Sequence, residues 1–299
     1  MASTQAHRIT DNHGQRNQNV DSNADINAYL AGVSDVQVEL DRLRIQHCWI
    51  QTCLNERIAF APVDLKKPGI KVLDVGCADG TLLRDLRKQV PSSAELVGAD
   101  LSVEFLPKTA EGNICYLKQD VCDPPAAELR SAFDFTHVRN VLHSAQRSGI
   151  EKAVANLADT LAPGGWLQVM ELNATPDGTK QPQALQDFVR LLGAMIESAG
   201  MDSAYAERIP AAFKKAGLQN VTIERVECGI GRVHADEAIA KSSIEPFIRI
   251  LPMFHRNFQA VAATLPPSVY KDIKERYVKE MTEQGGYSLS YVIYGQKPA

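Results

Sequence analysis

The stretch "VLDVGCADGT", residues 72 to 81, constrains the fold of this chain more than any other. An apolar run ends in Asp74, and a turn dotted with glycine follows at once, carrying a second acid, Asp79. A short, nearly continuous apolar run reads as a central strand buried on both faces. The next segment, "TLLRDLRKQV", reads as a helix closed by Pro91. Strand, glycine turn and helix in this order place a ligand beyond the carboxyl ends of parallel strands.

The rest of the chain supports that reading. "AELVGADL", "ICYLKQDV", "FDFTHVRNVL" and "PGGWLQVMEL" read as further strands, with "GIEKAVANLADTL" as a helix between the last two. Strands alternating with helices predict an α/β fold, a Rossmann-like, doubly wound, mostly parallel sheet. Seven strands are expected once "NVTIERVEC" and "SLSYVIYGQKP" are added. Ahead of the first strand, Val36, Leu40, Leu43, Ile50 and Leu54 recur at helical spacing, which predicts an amphipathic helix over "VQVELDRLRIQHCWIQTCLNERIAF". Later, "ALQDFVRLLGAMIESAG", "IPAAFKKAGL" and most of 235–284 read as helical. The expected organisation is a flexible polar leader over 1–27, a helical lid segment over 28–68 and one domain over 69–299. That domain carries helical insertions for substrate recognition at about 180–205 and 235–284.

Composition narrows the function. A formal net charge of -4 without a clustered basic stretch argues against a nucleic-acid partner. No run of 18 apolar residues is present, so no membrane span is expected. The leader, rich in Asn, Gln and Asp, has no apolar signal region, which points to a cytoplasmic protein. None of the six cysteines forms a C-x-x-C pair, so zinc is not expected and the thiols read as reduced.

The turn selects among nucleotide-like ligands. The dinucleotide pattern G-x-G-x-x-G fails at two of its three positions, where Ala78 and Thr81 stand. Asp79 would also repel a pyrophosphate held at the helix start. No Gly-Lys-Ser/Thr follows, which excludes a P-loop. A cofactor with positive charge and no phosphates fits better, and S-adenosylmethionine is such a molecule. Gly76 and Gly80 would let the backbone approach it closely. Asp74 would supply negative potential near its ammonium group, Asp100 would accept from the ribose hydroxyls, and Asp120 would accept from the adenine amino group. Leu101 and Val121 would sandwich the ring, with Cys77, Ala78, Asp79, Gln119, Arg139 and Asn140 as neighbours in the site.

"VLDVGCADGT", "GADLS", "KQDVCD", "FDFTHVRNVLH" and "LAPGGWLQVMEL" together resemble the ordered motifs of class I S-adenosylmethionine-dependent methyltransferases. "ELDRLRIQH" is similar to the region before the core in fungal secondary-metabolism methyltransferases. The family's usual glycine at position 78 is Ala78 here. The resemblance implies methyl transfer to a small natural-product acceptor at oxygen or nitrogen. It places the fourth strand's end at the reacting methyl, so His143 is the candidate base. It also folds the segment before the core over the site, which makes Tyr29 and His47 candidates for the lid. Phe247, Met253 and Phe254, in "EPFIRILPMFHRNF", are candidates for the acceptor pocket.

In-line methyl transfer needs alignment and exclusion of water more than elaborate chemistry. No cluster of acids and amides stands out as a metal site, so metal-independent transfer is expected. The expected partner is a small molecule, with a homodimer as an allowed assembly. Two readings from other classes remain open: a non-methylating rearrangement or cyclisation that uses the same cofactor, and a methyltransferase-like regulatory partner.

Overall fold

The computed structural model describes residues 35–109, 112–175, 181–254 and 261–299. The first helix, α1, runs over Val36–Cys53 and is capped by the Asp35 carboxylate on the Gln37 amide. Its helix is shorter than the apolar spacing predicts. Asn55 and Glu56 take positive φ in succession, and the Glu56 amide turns back to the Gln51 carbonyl at 2.8 Å. Its buried face is also more polar than expected, with Glu39, Arg42, His47 and Gln51 buried beside Leu40, Trp49 and Ile50.

Seven strands follow: β1 (Lys71–Val75), β2 (Glu95–Asp100), β3 (Ile114–Lys118), β4 (Phe133–Arg139), β5 (Leu161–Leu172), β6 (Gln219–Ile230) and β7 (Gly286–Gln296). They form one sheet in the order β3-β2-β1-β4-β5-β7-β6. The first five are parallel, and β7 lies antiparallel between β5 and β6. The sheet is flanked by helices α2 (Thr81–Arg87), α3 (Ile150–Ala158), α4 (Gln183–Ser198), α5 (Tyr205–Lys215), α6 (Glu237–Phe254) and α7 (Ile273–Glu283), with a single-turn helix over Pro267–Tyr270.

Alternation along the strands splits the core. Val72 joins Leu83, Leu86, Leu96 and Phe135 on one face. Its neighbours Leu73 and Val75 join Val154, Leu157, Ile209 and Phe213 on the other. Both faces are therefore dry, which is why the strand reads as a continuous apolar run. A third cluster is built by the helical additions: Trp49 from α1, Phe188 from α4, Phe247 from α6 and Tyr277 from α7. It closes onto Met170 of β5 and Val292 of β7. The helical additions thus pack directly onto the sheet.

The strand order reverses between β1 and β4, and register pairs Asp74 of β1 with Gly98 of β2 on one side and His137 of β4 on the other. A crevice opens at the carboxyl ends of strands where such a reversal occurs. Among the described residues, no helix is long and apolar enough to cross a membrane.

Candidate active site

The glycine turn leaves β1 in the left-handed region. φ is +76° at Gly76, +48° at Ala78 and +75° at Gly80. A Cβ at Gly76 would run into the Val141 side chain, and one at Gly80 into Tyr116. These two positions need glycine for conformation and for space. Ala78 adopts the strained conformation without glycine, and its amide donates to the Asp100 carboxylate at 2.9 Å.

Four carboxylates surround this turn, each held by a different device. Asp74 is buried and bonds the His137 Nδ1 at 2.8 Å. Asp79 accepts from Thr81 and from two guanidinium groups, Arg44 at 2.7 Å and Arg84 at 3.2 Å. Burial pushes its pKa up, but the Thr81 and Arg44 hydrogen bonds and the Arg84 charge outweigh that and hold it below the ordinary carboxylate value. Asp100 accepts from the amides of Ala78 and Ser102, both at 2.9 Å. Burial nonetheless raises its pKa to about 6. Asp120 follows β3 and accepts from the Cys122 amide and from Arg147, each at 2.8 Å. A carboxylate offers about four lone-pair positions, so Asp79 is filled by Thr81, Arg44 and Arg84, while Asp74 and Asp120 keep room for more.

The remaining positions divide by what their side chains do. Gln119 is spent on its own loop, donating to the Asp120 carbonyl at 2.8 Å and accepting from the Ala126 amide at 3.0 Å. Cys77 is buried, and burial pushes its thiol pKa up. Val121 is buried and Leu101 partly exposed. Asn140 takes φ +54°, and its amide bonds the Met170 carbonyl at 2.9 Å.

Helix α1 is tied to this end of the sheet. Arg44 reaches Asp79, and His47 is buried between Asp85 at 2.9 Å on Nε2 and Arg139 at 2.8 Å on Nδ1. An arginine only donates, so Nδ1 is the acceptor and the ring proton sits on Nε2, facing the Asp85 carboxylate. Burial, helped by the Arg139 charge, lowers the His47 pKa to about 4. Arg139 itself, at the end of β4, has no carboxylate within ion-pair distance among the described residues, although Asp74 is near enough to favour its charge.

His143 stands on a one-turn 3-10 helix after β4, with its side chain 39% exposed. Its Nδ1 lies 3.9 Å from Oε2 of Glu171, which is wholly buried. Glu171 accepts from the amides of Val141 and Leu142, both at 2.8 Å, and from the Tyr205 hydroxyl at 2.8 Å. One buried carboxylate thus fixes the turn that carries His143. Separately, a small cleft between the sheet end and the helical cap is lined by Leu172, Asn173, Leu185, Phe188, Phe247 and Tyr287. Phe247 is packed edge-on to Trp49 and Phe188, so it belongs to the helical core as well as to the cleft wall. Met253 is partly buried near the end of α6. Phe254 closes α6, and its side chain, like all of Tyr29, lies outside the described residues.

Residues 47–223 match the family model described as a methyltransferase domain. The chain belongs to that family. It is an S-adenosylmethionine-dependent methyltransferase. The chain is 31% identical to methyltransferase psoC of Aspergillus fumigatus over 87% of its own length and 95% of the relative. It is 30% identical to N-methyltransferase tcpN of Claviceps purpurea, again over 87% and 95%. N-methyltransferase sirN of Leptosphaeria maculans is 30% identical over 91% of this chain and 95% of its own. The fold is shared with a chain of the complex between the Haloferax volcanii Trm112 methyltransferase activator and a methyltransferase. There the TM-score is 0.51 and the identity 16%, over 92% of this chain and 97% of that one.

The donor set suits this methyltransferase's cofactor. Carboxylates stand at the ends of β1, β2 and β3 and on the turn, while Arg44, Arg84 and Arg147 are already committed to Asp79 and Asp120. That leaves Asp74 and Asp100 as the carboxylates of this set with no arginine or lysine partner among the described residues. Sequence reasoning did not single out His137, Glu171, Arg44, Arg147 or Tyr205. Glu171 carried a visible signal, an acid at the end of an otherwise apolar strand.

Proposed function

We propose that this methyltransferase transfers the methyl group of S-adenosylmethionine to a nitrogen or oxygen of a small natural-product acceptor, with His143 as the base. The observation that carries this reading is the partly exposed imidazole just past the end of β4, 3.9 Å from a wholly buried carboxylate. The relatives named as N-methyltransferases favour nitrogen.

S-adenosylmethionine supplies an electrophilic methyl on a sulfonium, and the protein's task is placement and proton removal. Gly76, Cys77, Ala78, Asp79 and Gly80 form the cradle. Asp100 accepts the ribose hydroxyls, Asp120 takes the adenine amino group, and Leu101 and Val121 flank the ring. Arg139 receives the one anionic group of the cofactor, its carboxylate, because a guanidinium without a paired acid gains most from one. Asp74 sets the potential at the ammonium group, held in place by His137. Apolar residues of the helical cap, Phe247 among them, would supply the wall that the acceptor meets. His143 takes the acceptor's proton.

The test is a pair of measurements on His143→Ala. Turnover should fall by about 10²- to 10⁴-fold, read with isotopically labelled methyl donor and mass spectrometry of the product. Affinity for S-adenosylhomocysteine should stay near that of the unaltered protein. Unchanged turnover would remove His143 from its role, and cofactor binding with no labelled product from any acceptor would favour a non-methylating function.

A further inference from the structure

The end of β4 carries a guanidinium held by an imidazole. Arg139 is the last residue of β4, at the carboxyl end of the sheet where the strand order reverses. Among the described residues, the one side-chain hydrogen bond it makes runs from Nη2 to the His47 Nδ1 at 2.8 Å. A guanidinium has five N–H donors, so most of its capacity stays open. His47 is placed in turn from its other side. It is 3% exposed, and its Nε2 lies 2.9 Å from the Asp85 Oδ2. Asp85 sits on α2, and its second oxygen accepts from the Lys88 ammonium at 2.7 Å. One turn earlier on α1, Arg44 reaches Asp79 at 2.7 Å, so the helix meets the glycine turn and α2 at two successive points.

Three groups from three elements are therefore linked: Asp85 of α2, His47 of α1 and Arg139 of β4. The linkage fixes the ring's tautomer. Because an arginine only donates, Nδ1 carries no proton and the Nε2 proton faces Asp85. Hydrogen bonds in such a chain polarise one another, so the carboxylate makes Nδ1 a better acceptor for the guanidinium. A second proton on the ring would cost the Arg139 bond and set two cations side by side.

We propose that His47 and Asp85 are positioning residues: through the imidazole, they hold the Arg139 guanidinium so that its open N–H groups meet the carboxylate of the bound cofactor. The role rests on the cofactor reading above, whereas the tautomer does not. An arginine has a long, rotamer-rich side chain, and fixing it before the ligand arrives removes an ordering cost from binding. An imidazole suits that task. A carboxylate in its place would pair with the guanidinium's charge and compete with the ligand for it. Neither His47 nor Asp85 has to touch cofactor or acceptor, which sets His47 apart from a residue of a lid.

The test uses the full chain and two ligands, S-adenosylhomocysteine and methylthioadenosine, the second lacking the amino-acid group. By calorimetry, His47→Leu should weaken S-adenosylhomocysteine about tenfold and leave methylthioadenosine unchanged. His47→Asn, whose amide oxygen can take the place of Nδ1, should restore most of that loss. Asp85→Ala should reproduce part of it with the same ligand selectivity, and no effect there would remove Asp85 from the role. In an Arg139→Leu background, His47→Leu should cause no further loss, because the imidazole acts only through the guanidinium. Ring-nitrogen NMR shifts of the unliganded protein should show His47 protonated on Nε2 and bare on Nδ1 at neutral pH, its signals being those missing from His47→Asn. Equal loss of both ligands in His47→Leu would mean that the residue merely seats α1. Additive losses with Arg139→Leu would mean that His47 touches the cofactor itself. Either result overturns the assignment, as does a ring protonated on Nδ1, whatever the affinities. If the unaltered protein binds neither ligand, it is the cofactor reading that fails, while the spectrum still decides the tautomer.

Discussion

The cofactor end of the sheet and the helical cap beside it are built on opposite plans. Around the glycine turn the acidic groups are individually held: Asp74 by His137, Asp79 by two arginines, Asp100 by two backbone amides, Asp120 by Arg147. In the cap the contacts are aromatic and unspecific, with Trp49, Phe188, Phe247 and Tyr277 packed ring on ring and the buried Tyr277 hydroxyl left without a hydrogen bond. The difference separates two demands. Charged groups work only with fixed positions and directions, whereas an apolar surface can be reshaped by substitution without leaving a polar group unpaired.

If that division holds, a change on one side should leave the other side's ligand alone. The larger effect is expected at Arg139. Charge-assisted hydrogen bonds contribute about 1.5–3 kcal/mol, so Arg139→Leu should weaken S-adenosylhomocysteine binding about 10- to 100-fold by calorimetry. Methylthioadenosine, which lacks the amino-acid group, should bind both proteins alike. An equal loss for both ligands would mean that Arg139 supports the site only through His47 and α1.

A smaller effect is expected from Phe247→Leu, which keeps the cap apolar but reshapes the cleft wall. Acceptor KM should rise about tenfold, with S-adenosylhomocysteine affinity unchanged. A matching loss of cofactor affinity would erase the distinction between the two regions.

The same division explains what could be read in advance. Gly76, Gly80, Asp74 and Asp100 were legible because a turn, a strand end and their charges are local properties of the chain. The sheet was legible for the same reason, since strand length and burial on both faces appear as apolar runs. Their partners were not: His137 meets Asp74 across 63 positions, Arg44 meets Asp79 across 35, and Tyr205 meets Glu171 across 34. Nothing at those residues marks them until the topology brings them together. The cap was legible only as helices, because an aromatic residue at helical spacing looks the same whether it fills a core or lines a cleft. Phe247 does both.

The smallest net signal should come from pH, because two buried groups oppose each other over one window. Burial raises Asp100 from 3.8 to about 6, so its contribution to stability is full below 3.8 and is lost as pH rises through 6. Burial and the Arg139 charge lower His47 from 6.5 to about 4, so its contribution is full above 6.5 and is lost as pH falls through 4. Each shift is worth about 3 kcal/mol with opposite sign, and their sum over this window is close to flat. Removing either one should expose the other. Measured by urea unfolding at pH 4.5 and 7, Asp100→Asn should lose more stability on acidification than the unaltered protein, and His47→Gln should lose less or gain. Taking both as differences from the unaltered protein cancels the titration of the other carboxylates. Parallel responses in the two variants would mean that Asp100 and His47 do not carry these shifts, and that the polar end of the sheet is more open to water than its hydrogen bonds imply.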